Sequence, residues 1–152
     1  MRRTIRTRVR EASKRAVARV IHKARGDIYN LQKIFDKLNR RYFNNEIVAT
    51  IEWGRRRQGS SKRRHETIIM GRCFIEDKFI RVHPSLDRKF VPRYFVEWIV
   101  FHEMIHQKNP VFKIKGRHQF HTPEFHAEEA TFKHHLRAQQ WEKKNLHRLL
   151  YF

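Results

Sequence analysis

The apolar positions of this 152-residue chain change period along its length, and the changes mark out its elements. Residues 1–25 carry Ile5, Val9, Ala12, Ala16 and Val20 at helical spacing on a basic background, and Gly26 closes the segment. Over 27–42 the 3.6-residue period continues: Ile28, Leu31, Ile34, Phe35 and Leu38 share one face, with Asp27 placed to cap it. Asn44-Asn45 makes a turn, and the period then drops to two. Residues 47–56 alternate as a strand through Ile47 or Val48, Ile51 and Trp53. Residues 67–76 and 78–83 read as two more strands, joined by a tight turn at Glu76-Asp77. Helical spacing returns over 92–107, where Phe95, Trp98, Ile99 and Ile105 line one side. Pro92 suits the first turn of that helix, and Asn109-Pro110 is a stop signal. Thr122 and Pro123 then form a further helix start, as N-cap and first helical residue. Phe125, Phe132, Leu136, Trp141, Leu146 and Leu149 supply the apolar members of one or two C-terminal helices. Grouped strands with segregated helices predict an α+β fold with a three-stranded antiparallel sheet. The expected organisation is a basic arm over 1–26 followed by one domain over 27–152.

The helix at 92–107 carries the candidate chemistry, His102-Glu103-Met104-Ile105-His106. Residues i and i+4 of a helix stack on one face, so the two imidazoles can hold one metal ion together. Glu103 lies about 100° round the turn, within reach of a water on that ion without being a ligand. Zinc hydrolysis needs this division of labour. The ion lowers the pKa of its water towards roughly 7, and a carboxylate takes the proton as the water attacks a carbonyl. A catalytic zinc site has three protein ligands, so a third must come from downstream. The candidates are His118, His121, Glu124, His126, Glu128 and Glu129. Metzincin spacing is excluded, because Asn109-Pro110 occupies the region it requires. His121 stands just before a helix start, which would hold it rigidly and favours it. Glu128 and Glu129 read as solvated helix surface. Arg117 and His118 are close in sequence to the site, but nothing selects either as an oxyanion partner.

Composition changes the picture in one respect. Thirty-five Lys and Arg against 15 Asp and Glu give a net charge of +20, beyond what solubility requires. A field of that size favours a polyanion. Residues 1–25 hold ten basic residues against the single acid Glu11. At 55–64, Arg55, Arg56 and Arg57 face Lys62, Arg63 and Arg64 across a Gly59-Ser60-Ser61 turn. Such a hairpin tip can straddle a phosphate backbone. Trp53 adjoins it, and is either a ring on which single-stranded bases stack or a core residue alternating inward with Ile51. DNA, single- or double-stranded, is the expected partner. One cysteine permits no intramolecular disulfide, and Cys73 reads as a small buried residue. No apolar run approaches the ~20 residues of a membrane span, and no signal-peptide core is present. The expectation is a soluble monomer, cytoplasmic or nucleoid-associated.

The HEMIH segment at 102–106, taken with His121-Thr122-Pro123-Glu124-Phe125, resembles the SprT-like metallopeptidases, the family of Spartan-type proteases of DNA–protein crosslinks. The second segment is similar to that family's H-G-x-E-F, and starts fifteen residues after His106. LQKIFDKLNRRYFNNEI at 31–47 resembles the family's opening helix and its Tyr-Phe lead into the first strand. IEWGRRR at 51–57 and FIRVHPSLD at 79–87 resemble its short strands. The similarity covers roughly 27–141. It implies a small zincin-like domain with one Zn²⁺ held by His102, His106 and His121, and with Glu103 as general base. It implies also an endopeptidase acting on proteins bound or crosslinked to DNA. Thr122 stands where the family usually has glycine. The C-terminal Cys-based zinc ribbon of several relatives is impossible with one cysteine, so whatever targeting such appendages supply is expected to be absent here or to come from charge. Two competing expectations remain: a non-catalytic nucleic-acid-binding module with a structural zinc site, and a zinc hydrolase of another bond, in nucleic acid.

Overall fold

A computed structural model describes residues 2–56, 64–109, 112–114 and 116–152. Among the described residues five α-helices accompany a small sheet, and a short hairpin follows the third of them in sequence. α1 spans Arg2–Ala24. It is a helix, as its spacing predicts, but Ala12, Ala16 and Val17 are exposed, and among its described side chains only Ala24 enters the core. The side chains of Ile5, Val9 and Val20 lie outside the described residues.

α2 (Leu31–Tyr42) buries the predicted stripe Leu31, Ile34, Phe35 and Leu38. Its cap is Asn30 and not Asp27: the Asn30 side chain accepts from the Lys33 N–H at 3.1 Å. The helix starts later than expected because the preceding backbone has another use. The N–H groups of Asp27, Ile28 and Tyr29 all donate to the buried Asp87 carboxylate, at 2.6, 2.9 and 2.9 Å. Arg56 adds a guanidinium at 2.8 Å from the same carboxylate. Asp87 therefore ties the α1–α2 junction to the segment after the first strand. Gly26 is required there, since a Cβ would sit 2.3 Å from Asp87 Oδ2. From the last turn of α2, the buried Asn39 amide satisfies both backbone groups of Ile47, at 2.8 and 3.1 Å, and so sets the chain's entry to the sheet.

The sheet comprises β1 (Thr50–Trp53), β2 (Gly71–Phe74) and β3 (Phe79–Val82), in the order β1-β3-β2. It is mixed. β2 and β3 form the expected antiparallel hairpin, closed by a turn with Lys78 at φ 48°, but β1 and β3 run parallel. The hairpin fixes the direction of β2 against β3, and the long excursion after β1 lets β3, not β2, settle beside β1. The strands are also shorter than the alternation suggests, because Ile47 is held by Asn39 and not by a ladder.

α3 (Arg93–Lys108) packs against β2 and α2 and forms the centre of the core, with Phe95, Val96, Val100, Phe101, Met104 and Ile105 fully buried. Asn109 ends it, as expected, while Pro92, expected in the first turn, stands one position earlier as the N-cap. A hairpin of β4 (Phe112–Ile114) and β5 (Arg117–Gln119) follows, which the periodicity does not reveal. α4 (Pro123–Glu129) starts at the predicted cap Thr122, and α5 (His135–Leu149) closes on α3. No helix among the described residues is long and apolar enough to cross a membrane.

Two outcomes follow from this framework. Asp87→Ala strands three backbone donors and leaves Arg56 with Asp27 as its remaining carboxylate, so we expect a loss of about 3 kcal/mol. For a chain of this size that is a fall in Tm on the order of 10 °C by thermal denaturation. The second concerns His83, whose Nδ1 accepts from the Ser85 N–H at 3.2 Å and so needs the neutral ring. Burial, with Arg88 and His65 nearby, pushes its pKa down to about 4. The unfolded chain binds the proton from about pH 6.5 and the folded chain only near pH 4, so stability falls as pH drops through that window. His83→Asn should flatten this part of the Tm–pH curve relative to wild type.

Candidate metal centre and active site

One turn of α3 brings His102 and His106 to the same face, as an i, i+4 pair must. The start of α4 supplies the third ring. Thr122 accepts from the Phe125 N–H at 3.2 Å, which anchors the residue before it, His121, at the helix entrance. The three Nε2 atoms converge, with separations of 3.2 Å (102–106), 3.3 Å (102–121) and 3.1 Å (106–121). Nitrogens bonded at ~2.0–2.1 Å to one tetrahedral ion lie about 3.3 Å apart, so this donor set fits a single metal ion. Burial and the neighbouring imidazoles lower the pKa of His106 to about 4 and push that of His121 down as well. Both effects favour the neutral ring that ligates a metal.

Two buried residues hold the rings in place. The Phe125 ring is 2% exposed and lies under all three, at centroid distances of 4.9 Å from His102, 4.5 Å from His106 and 4.9 Å from His121. Glu129, expected on the solvated surface of its helix, is in fact buried, with Oε1 2.7 Å from His102 Nδ1. A carboxylate on Nδ1 fixes that proton there and turns Nε2 towards the metal position. The spacing held the clue: Phe125, Glu129 and Phe132 follow at i, i+4 and i+7, which puts Glu129 inside an apolar stripe.

Glu103 is buried beside the three nitrogens without joining them. Burial raises its pKa to about 7, against the opposing influence of His102, the Cys73 backbone N–H and Arg72. Its carboxyl packs on β2 so closely that a Cβ at Gly71 would come within 2.5 Å of Oε1. Glycine is therefore needed at 71 for the acid to sit here. An open cleft of about 310 Å³ lies in front, lined by Gly71, Arg72, Ile75, Glu103, His106 and Phe120 among others. Cys73 also faces it, but burial and Glu103 push its thiol up to about 12, which keeps it protonated and inert.

The remaining sequence candidates do not join the centre. Glu128 pairs with Lys108 at 2.6 Å, Glu124 is exposed, and His126 is exposed with Nδ1 3.7 Å from Glu129. The His118 and Arg117 side chains lie outside the described residues. Among the basic residues of 55–64, Arg55 and Arg64 are exposed, while Arg56 is engaged by Asp27 and Asp87. Arg57, Lys62 and Arg63 lie outside the described residues. Trp53 is half-buried against the core, with its indole N–H directed at the Tyr29 carbonyl at 3.4 Å.

A compact α+β domain with an H-E-x-x-H helix, a third histidine at the next helix start and a buried acid between them defines the class: a protein with a metallopeptidase-like site. The model of the SprT-like family matches residues 31–145, from the first residue of α2 into α5, and the chain belongs to that family. Comparison with curated proteins and with solved structures gave no match.

The orienting role of Glu129 can be measured directly. Glu129→Ala should weaken metal affinity about 10–100-fold in a chelator competition titration, while His121→Ala, which removes a ligand, should weaken it further. Stripping the metal should lower the Tm of the wild type, because binding to the folded state alone adds stability.

Proposed function

We propose that the chain is a zinc-dependent endopeptidase that acts on proteins bound or crosslinked to DNA. One observation carries the peptidase part: a buried carboxyl, Glu103, sits next to a three-histidine donor set and faces an open cleft. His102, His106 and His121 would hold a zinc ion, which would supply Lewis acidity towards a water and a carbonyl. Glu103 accepts the proton of the attacking water and then returns it to the leaving amine. A carboxyl with its pKa lifted to about 7 is matched to that exchange near neutral pH. Phe125 and Glu129 keep the imidazoles oriented, so the acid and the cleft hold their relation through the reaction.

Charge supports the nucleic-acid part of the reading. A net +20 concentrates the chain on a polyanion, and proteins already seated there become its local substrates. The same charge favours a second reading, a nucleic-acid-binding module whose metal is structural. A structural metal site has no use for an ionisable acid buried beside an open cleft.

Cleavage of a basic DNA-binding protein, with and without single- and double-stranded DNA, separates the two. Wild type and Glu103→Gln should carry equal metal, and the variant should cut at least about 100-fold more slowly. Cleavage by wild type should rise when DNA is present. Full metal and tight DNA binding with no cleavage in any lane would leave the binding module standing.

A further inference from the structure

The solvent face of the three-stranded sheet has no part in the centre described above, yet its residues are not those of a passive surface. Alternation directs Ile51, Ile80 and Val82 into the core, and Arg72, Phe74, Phe79 and Arg81 to the opposite face. In the β2–β3 register Arg72 stands directly opposite Arg81, and Phe74 opposite Phe79. Two like charges placed across a ladder destabilise it unless something of opposite sign meets them. Arg81 has Glu52, at 3.0 Å, which Lys23 of α1 also approaches at 3.4 Å. Arg72 has no carboxylate at ion-pair distance among the described residues; Glu103, buried on the far side of β2, acts on it only at longer range.

The two phenylalanine rings are stacked on each other, with centroids 5.4 Å apart and planes 22° from parallel. The Arg81 guanidinium lies over both, 5.6 Å from one centroid and 5.0 Å from the other. The result is a partly exposed aromatic pair with two guanidinium groups on it, Arg81 shared with Glu52 and Arg72 6.0 Å from the Phe74 centroid. Arg72, Phe74, Arg81 and the exposed Arg55 line a depression of about 260 Å³, with Phe79 at its border. Gly71 and Arg72 belong both to this depression and to the metal cleft, so the two are continuous across β2. Basic α1 approaches from the opposite edge, beside β1.

We infer that this face is a binding platform for single-stranded nucleic acid: Phe74 and Phe79 stack bases, Arg72 and Arg81 hold the backbone phosphates, and the strand is led to the mouth of the metal cleft. An acidic polypeptide would satisfy the arginines but would leave the paired rings without a purpose, whereas every base presents a π face to them. A duplex hides its base faces and would meet only the cations. The inference rests on reading the chain as one that works beside nucleic acid, and it supplies the contact surface for that reading.

The test is fluorescence anisotropy of a labelled twelve-nucleotide oligo-dT against the full chain, titrated over a range of salt. Arg72→Gln, an exposed change that leaves the fold intact, should weaken binding about tenfold at low salt. It should also reduce the slope of log affinity against log salt by about 0.7, the loss of one single-strand phosphate contact. Phe79→Leu keeps an apolar side chain on the sheet and should cost at least about fivefold, with the slope unchanged. Circular dichroism melts check that it folds; should it not, Arg72→Gln decides the matter. As a comparison, Lys14→Gln with Arg15→Gln, on exposed α1, should weaken oligo-dT and duplex DNA alike. Unchanged oligo-dT affinity in Arg72→Gln overturns the platform. So does an equal loss for duplex DNA in Phe79→Leu, or displacement of oligo-dT by polyglutamate at matched charge concentration. No protein substrate is present in these titrations, so their failure counts against the platform alone. The peptidase reading is judged separately by Glu103→Gln.

Discussion

Everything in this molecule is arranged around the burial of α3. The helix is apolar on most of its circumference and sits at the centre of the core, yet it carries Glu97, His102, Glu103 and His106. Buried polar and ionisable groups are costly unless each finds a partner, so the neighbouring elements are constrained to provide them. Glu97 takes Lys37 from α2 and Arg93 from its own first turn, both at 2.9 Å. His102 takes Glu129 from α4. Glu103 is left with a backbone N–H from β2 and a cleft, and its raised proton affinity follows from that thin compensation. On the same helix the Trp98 indole N–H is buried with no hydrogen-bond partner among the described residues, but it cannot titrate; Glu103 can, and its thin compensation suits it to exchange a proton.

Close approach is the second device. Asp87 gathers three backbone donors and a guanidinium at the base of α2, and Glu103 lies flat against β2; each requires a glycine, at 26 and at 71. These glycines do not lie at tight turns with positive φ; they mark places where a carboxylate must come nearer to the main chain than a Cβ permits. The first fixes the frame, the second positions the acid. Phe125 does the corresponding work for the three imidazoles, two on α3 and one just before α4, giving them one common floor.

The positive charge divides into two kinds. Some of it is consumed internally: Arg56 on Asp27 and Asp87, Lys37 and Arg93 on Glu97, Lys108 on Glu128. Among the described residues, other cations stay at the surface, on α1, α2 and α5 and, with Arg72, on the outer sheet face beside the cleft. Charge in a sequence is a total, and only the fold says which cations already have a partner.

By itself the sequence determined the elements with strong helical period and the chemistry that rides on helical spacing. α2, α3 and the start of α4 lie close to where the apolar stripes, Asn109-Pro110 and Thr122-Pro123 put them, and His102, His106 and His121 converge as the motif and its resemblance imply. The helices, their caps and the His102–His106 pair are local, set by the 3.6-residue repeat within a turn or two; the arrival of His121 beside that pair is a tertiary contact, which the resemblance implied and the repeat did not. The tertiary structure alone decided the rest. Asn30 rather than Asp27 caps α2, because Asp87, 60 residues away from Asp27, claims the Asp27 N–H. β1 pairs parallel with β3 because a sheet's order depends on how distant segments meet, to which alternation is blind. Glu129 became an orienting carboxylate and Arg56 an internal brace for the same reason. A charged side chain's partner is chosen by proximity in space, and sequence spacing conveys that only within a helix or across a hairpin.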